Sequence, residues 1–286
     1  MSLGWADEIA QEFLSQGLLK TGVCLILGGT DTGKTSLAAA LAKRAASTER
    51  IGIIDADIGQ SHIGPPATVG WAIVDGPEVD VTSVAPAGIS FVGDVTPVGH
   101  LLQLTAAITG CTAEVSKAAK LIIIDTPGFI NGSAAKALWW TVQRILQPEL
   151  ILAVENEDEL SDIIAGLRSF EIRVERIKSP AEIAKKSPES RRNYRRRQFR
   201  KYFENSCVYD INLSEVAVQP GRNMNAKSFV HRLVGLRDAK GRDIAMGLIA
   251  DWQEEKDIAV IRAPEINIQQ VCCLVIGDIS VDFGEQ

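Results

Sequence analysis

Residues 28–35 read Gly-Gly-Thr-Asp-Thr-Gly-Lys-Thr. Gly28, Gly33, Lys34 and Thr35 meet the spacing G-x-x-x-x-G-K-[ST] of a loop that wraps phosphate. Each position has a physical task. Glycines let the chain bend so that successive N–H groups converge on phosphate oxygens. Gly29, Thr30, Asp31 and Thr32 complete that cradle, and Ser36 opens the following helix, whose positive end adds to the pull on an anion. Lys34 reaches the β- and γ-phosphates, and the Thr35 hydroxyl is a Mg²⁺ ligand. The loop specifies a nucleoside triphosphate with Mg²⁺ and leaves the reaction open.

The next acidic pair is Asp55 and Asp57, in Asp-Ala-Asp-Ile-Gly-Gln about 20 residues further on. In an extended chain, alternation puts both carboxylates on one side. One of the two is suited to a metal or its waters, and the other to accepting a proton from an attacking hydroxyl. Asp125-Thr126-Pro127-Gly128 allows two readings. It is a D-x-x-G sensor of the γ-phosphate, or an aspartate at a strand end that holds a metal-bound water. The second is favoured, making Asp125 a further metal-side residue.

Residues 185–201 contain nine basic residues and one acid, so the segment carries +8 and the remainder of the chain −14. A solvated face, a nucleic-acid anchor and a lid are the three readings. The lid is favoured, because an arginine closing on a transferring phosphoryl group is worth roughly 10³-fold or more in rate. His62 and His100 are weak signals, each more readily a structural residue. The tryptophans, Trp5, Trp71, Trp139, Trp140 and Trp252, read chiefly as core, with one base-stacking platform among them left open.

These groups need elements to position them. Val23–Leu27 is an apolar run that reads as a strand leading into the loop, and Ser36–Arg44 is rich in helix formers. Ile51–Asp55, Leu121–Asp125, Leu150–Val154 and Phe170–Arg176 read as further strands. Helices are expected over 7–19, 101–109, 113–119, 134–146, 157–168 and from about Pro188. Short strand-like runs stand at 71–74 and 89–92. Alternating strands and helices predict a mainly parallel sheet with helices on both faces. Within the basic segment, Arg191, Arg192, Arg195 and Arg196 share a face, and Phe199 and Phe203 are placed to anchor the helix end. From Val208 to Asp282 the pattern turns strand-rich. The expected organisation is α/β: a P-loop domain over 1–206 that includes a lid at about 185–204, then a small β-rich unit over 207–286.

Composition excludes several classes. With 46% hydrophobic and 23% charged residues the chain of 286 reads as an ordinary globular protein. No apolar run approaches a membrane span, and a cytoplasmic location is expected. The five cysteines have no zinc-like spacing, and Cys24, Cys272 and Cys273 lie in apolar runs that predict buried thiols. A net charge of −6 argues against general nucleic-acid binding, whereas the +8 segment argues for a local polyanion contact.

Taken together, the motifs resemble the Clp1/Grc3/Nol9 family of polynucleotide 5′-hydroxyl kinases, its short prokaryotic members above all, over roughly residues 20–283. GGTDTGKTSL is similar to that family's G-x-T-D-x-G-K-[ST], and IIDADIGQS to its D-x-D-x-G-Q. Thr126, Gly128 and Phe129 match its T-x-G-[WF] clasp, which packs on the substrate nucleotide. Its arginine-bearing lid lines up with Arg191, Arg192, Arg195 and Arg200 ahead of Tyr202-Phe203. The resemblance implies an ATP- and Mg²⁺-dependent kinase acting on the 5′ end of RNA or DNA. Lys34, Asp57, Arg191 and Arg195 would carry catalysis, with Asp57 the general base and Asp55 supporting the metal, and Gln60, Thr126, Gly128, Phe129 and Arg192 would contact the substrate. Two rivals stand beside it: a GTPase-like switch, and an ATP-binding scaffold in RNA processing that turns nothing over. A guanine-reading N-K-x-D is missing after the fourth strand, where the sequence is Glu155-Asn156-Glu157-Asp158.

Overall fold

Alternation along the apolar strands decides which residues meet which helices. The computed structural model describes residues 4–77, 80, 82–167, 170–221 and 229–282. Its first part runs α1 (Gly4–Ser15), β1 (Gly22–Gly28), α2 (Lys34–Ala45), β2 (Ile51–Asp55), β3 (Thr68–Val74), β4 (Gly88–Phe91), α3 (Leu101–Val115), β5 (Leu121–Asp125), α4 (Gly132–Leu146), β6 (Leu150–Glu155), α5 (Ser161–Leu167), β7 (Arg173–Lys178) and α6 (Pro188–Phe203). The seven strands form one sheet in the order β4-β3-β2-β5-β1-β6-β7. β2, β5, β1, β6 and β7 are parallel, and β3 and β4 continue the edge as antiparallel neighbours.

Both faces of this sheet are covered. Cys24, Ile26, Leu121 and Ile123 pack beneath α1 and α2. Their sequence neighbours Leu25, Leu27, Ile122 and Ile124 pack beneath α3, α4 and α5. That two-sided burial explains why the strands read as continuous apolar runs and not as alternating ones.

The second part is a six-stranded sheet, in the order β8-β12-β11-β10-β13-β9. Its members are β8 (Cys207–Asn212), β9 (Ala217–Gln219), β10 (Arg232–Arg237), β11 (Asp243–Gln253), β12 (Ile258–Ala263) and β13 (Cys273–Ser280). It packs on the first part through Phe199 and Phe203 of α6, which lie buried with Phe91, Leu233, Met246 and Leu248. The Tyr202 hydroxyl accepts the Met246 N–H at 2.9 Å, and the Asp243 carboxylate accepts the Phe91 N–H at 2.8 Å. His100 and Asp278 add a buried contact of 3.0 Å.

Several local expectations are corrected. The helices expected at 101–109 and 113–119 are one helix, α3. Leu104, Ile108, Cys111 and Val115 recur at helical spacing against the sheet, and this outweighs the roughly 1 kcal/mol cost of Gly110 in a helix interior. The helix expected from Glu157 starts only at Ser161, because the Glu155 carboxylate accepts the Leu160 N–H and Glu159 the Asn156 and Glu157 N–H groups; Arg168 lies outside the described residues. The strand expected at 170–176 is shifted to Arg173–Lys178. Cys24 is buried, but Cys272, just ahead of β13, is exposed and Cys273 is half-buried, because β13 turns Leu274 and Ile276 into the core and Cys273 to the other face. Among the described residues no helix is long and apolar enough to cross a membrane.

Candidate active site

The phosphate loop bridges β1 and α2, at the carboxyl ends of the parallel strands, where open α/β sheets bind ligands. Thr32 is buried and its hydroxyl donates to the Gly29 carbonyl at 3.0 Å. Lys34 is buried, and its ammonium donates to the same carbonyl. Burial lowers its pKa, opposed by Asp125, Asp57 and Asp31, so three carboxylates stand within electrostatic reach of one ammonium. The Thr35 hydroxyl donates to Asp125 Oδ2 at 2.6 Å, across 90 residues of sequence. Asp125 Oδ1 is buried and has no hydrogen-bond partner among the described residues. A hydroxyl and a carboxylate with a spare oxygen, beside a phosphate loop, fit a hard cation that takes its remaining ligands from phosphates and water.

The two carboxylates after β2 have different environments. The strand ends at Asp55, so the chain does not stay extended as far as Asp57. Asp55 is buried; it accepts the Asp57 N–H at 3.0 Å on one oxygen, and the His62 and Ile63 N–H groups on the other. It is set to hold the 57–63 loop, and Asp125 is the carboxylate joined to Thr35. Asp57 is half-buried, and its Oδ1 accepts the Gly59 and Gln60 N–H groups at 3.0 Å each. Gln60 donates to the Arg191 carbonyl at 3.5 Å. Its Oε1 is buried without a partner among the described residues.

The clasp residues lie at the end of β5. Thr126 is fully buried and donates to the Ile26 carbonyl at 2.6 Å, so it fastens the turn to β1 and presents no free hydroxyl. The Trp139 indole donates to the Phe129 carbonyl at 2.7 Å. Gly128 stands against the phosphate loop: a Cβ there would meet the Thr30 nitrogen at 2.6 Å. Only glycine permits that approach, which leaves the half-buried Phe129 at the loop's edge.

The basic segment is the helix α6. Ser187 caps it by accepting the Ser190 N–H at 3.1 Å, with Pro188 in the first turn. The four arginines expected on one face divide: Arg191 and Arg195 are half-buried, Arg192 and Arg196 exposed. Arg191 pairs with Asp31 of the phosphate loop, and Asp31 also accepts the Lys186 N–H at 2.8 Å. Burial, then the neighbouring Arg192 and Arg191, holds the Arg195 pKa below the ordinary guanidinium range.

One residue that the sequence did not single out, Tyr194, completes the contact. The Tyr194 hydroxyl donates to the Ser61 carbonyl at 2.8 Å, and its ring lies 5.6 Å from that of His62. The usable signal was position, since Tyr194 stands one turn after Arg191 on the inward face. Thr35, Asp55, His62 and Asp125 also line a cavity of about 20 Å³, room for about one water.

Burial pushes the Asp55 and Asp125 carboxyls up to about 7, each reinforced by a neighbouring carboxylate. In the unfolded chain both titrate near 3.9. Raised acids favour the folded state fully at low pH, and that contribution is lost as pH rises from about 4 to about 7. Asp125→Asn is therefore expected to melt higher than the parent at pH 8 without nucleotide, by about 2 °C or more. The difference should shrink at pH 5. Scanning calorimetry at the two pH values checks this, and a difference independent of pH would count against a strained pair.

Comparison with known proteins follows the same stretch of chain. The family described as mRNA cleavage and polyadenylation factor CLP1 P-loop matches residues 28–205. Polyribonucleotide 5′-hydroxyl-kinases of Pyrococcus abyssi and Pyrococcus horikoshii are each 34% identical, over 71% and 73% of this chain. The chain spans just over half the length of those relatives, 56% and 57%. A solved Clp1p–Pcf11p complex superposes over 97% of this chain and 78% of its own with a TM-score of 0.73. At 13% identity that likeness concerns the fold. Because the matched residues run from the phosphate loop through the arginine helix, at one-third identity to the archaeal proteins, the chain belongs to the CLP1 P-loop family.

Proposed function

We propose that this protein transfers the γ-phosphoryl group of ATP to the 5′-hydroxyl end of a polynucleotide, RNA in the first instance. The supporting observation is the meeting of Lys34, the Asp57 turn and the Arg191–Arg195 face of α6 around one phosphate loop. The names of the archaeal relatives point the same way. The attacking 5′ oxygen forms a bond to the γ-phosphorus as the bond to the β-phosphate oxygen breaks. Asp57 accepts the hydroxyl proton, and ADP departs. Thr35 and Asp125 would hold Mg²⁺, which neutralises phosphate charge when bound. Lys34, Arg191 and Arg195 stabilise the charge that grows on the transferring group, so catalysis is positioning and electrostatics. Gln60, Phe129 and the exposed Arg192 are assigned to the polynucleotide end.

A guanine-reading switch is disfavoured by the region after β6. There Glu155 is buried and paired to Arg176 at 2.7 Å and is not free to read a base edge. The test is transfer of labelled γ-phosphate from ATP to short 5′-hydroxyl RNA and DNA oligonucleotides, with GTP in parallel. Label on the 5′ end supports the kinase. Triphosphate hydrolysis or binding with no labelled oligonucleotide would replace it with the switch or the scaffold.

Tyr194→Phe keeps the ring against His62 and removes the hydroxyl that joins α6 to Ser61. A hydrogen bond of ordinary net worth predicts a fall in kcat of roughly 2- to 10-fold with the KM for ATP little changed. Steady-state kinetics decide it, and an unchanged kcat would remove Tyr194 from lid positioning.

A further inference from the structure

Gly33, immediately before Lys34, adopts φ 93° in the left-handed region. A Cβ built there would lie 2.6 Å from Trp5 Cζ2 and 2.7 Å from Ile183 Cδ1. Two half-buried apolar side chains thus converge on one backbone position of the phosphate loop. They arrive from remote elements, Trp5 from the first turn of α1 and Ile183 from the connection between β7 and α6.

The strand order says which end of a triphosphate this pair faces. Asp125 and Asp57 follow β5 and β2, on one side of β1, and β6 and β7 lie on the other. A triphosphate with its γ end beside Asp125 and Asp57 has its nucleoside end toward β7. The connection that carries Ile183 starts there, at Ser179. Ser179 is 4% exposed, its N–H donates to the Glu155 carbonyl at 2.9 Å, and its hydroxyl has no hydrogen-bond partner among the described residues. Trp5 is held as a fixed platform. Ala6, Ala10 and Phe13 bury α1 against α2, and Arg44 joins α2 to Asp7 at 3.1 Å and to Gln11 at 2.6 Å. A side chain immobilised before binding loses little entropy when a ligand stacks on it.

We propose that Trp5 and Ile183 form the nucleobase subsite, with the base of the bound nucleoside triphosphate stacked on the indole and walled by the isoleucine. This assignment rests on the reading that the loop holds a nucleoside triphosphate, but not on phosphoryl transfer.

The test compares dissociation constants for ATP and for inorganic tripolyphosphate, by calorimetry, in the parent, Trp5→Ala and Trp5→Phe. Loss of an aromatic stacking platform predicts that Trp5→Ala weakens ATP roughly 10-fold and tripolyphosphate less than about two-fold, with Trp5→Phe recovering most of the loss. Equal weakening of both ligands would overturn the proposal, since Trp5 would then act by packing under the loop. Unchanged ATP affinity would overturn it as well. If Trp5→Ala fails to fold, Ile183→Ala in the β7–α6 connection carries the same comparison. A parent that binds neither ligand defeats the nucleotide reading together with this one. A parent that binds ATP equally well with and without these side chains defeats this one alone.

Discussion

Asp57→Asn is expected to lower phosphoryl transfer by roughly 10²- to 10⁴-fold, the usual worth of a positioned general base. Asparagine is nearly the same shape as aspartate, and its Oδ1 can still accept the Gly59 and Gln60 N–H groups that fix this side chain. The loop geometry and the affinity for ATP should therefore survive, while the capacity to take a proton does not. Single-turnover label transfer, beside an ATP titration, separates the two. Asp55→Asn is the informative contrast. Asp55 accepts three main-chain N–H groups from the 57–63 loop, so its variant should show its defect in the order of that loop, in melting temperature and in KM as well as kcat. Wild-type turnover in Asp57→Asn would sink the base assignment.

Lys34→Ala is the second large effect, with transfer expected to fall on the order of 10³-fold or below detection. The side chain is buried and faces three carboxylates. Its removal takes away a phosphate ligand and also the buried ammonium that offsets the charge of Asp125, Asp57 and Asp31. Both changes disfavour a polyanion, so the affinity for ATP should fall with the rate, unlike the result for Asp57→Asn. Lys34→Arg is not expected to rescue. The space is filled, with the ammonium already donating to the Gly29 carbonyl, and a planar guanidinium needs a wider fork. Equilibrium binding and label transfer on the same preparations check both parts. Full activity in Lys34→Ala would mean that the loop does not hold the transferring phosphate.

The ion pair between Arg191 and Asp31 gives the lid a second meaning. The guanidinium assigned to the transition state is held by the phosphate loop itself, 160 residues away in sequence. Phe199 and Phe203 fix the other end of α6 in the core shared with the six-stranded sheet. The helix is thus anchored at its carboxyl end, with its amino-terminal half resting on the loop and on Ser61.

Much of this was legible without coordinates. The phosphate loop is a local device: eight consecutive residues supply the bend, the N–H groups, the cation and the hydroxyl, and their spacing alone encodes the cradle. The strands were legible because burial on both faces leaves no polar residue in Leu121–Ile124 or Ile51–Ile54. Helix boundaries were less so, since α3 runs through Gly110 on packing alone and α5 starts late on side-chain caps. Cys272 and Cys273 were misread because an apolar run does not show which of its residues face the core.

The sequence by itself determined the triphosphate loop, the parallel sheet that carries it, the acidic turn after the second strand and the basic helix. It did so because contiguous residues with fixed periodicity make each of them. Only the tertiary structure decided how the parts divide their work. It tied Asp55 to the loop and Asp125 to Thr35, turned Thr126 inward, set Arg191 and Arg195 inward and Arg192 and Arg196 outward, and brought Tyr194 onto Ser61 and Trp5 onto Gly33. Those pairings lie far apart along the chain, 133 residues in the case of Tyr194 and Ser61. Their partners are chosen by which faces the two sheets and their helices must bury, a choice that no local spacing records.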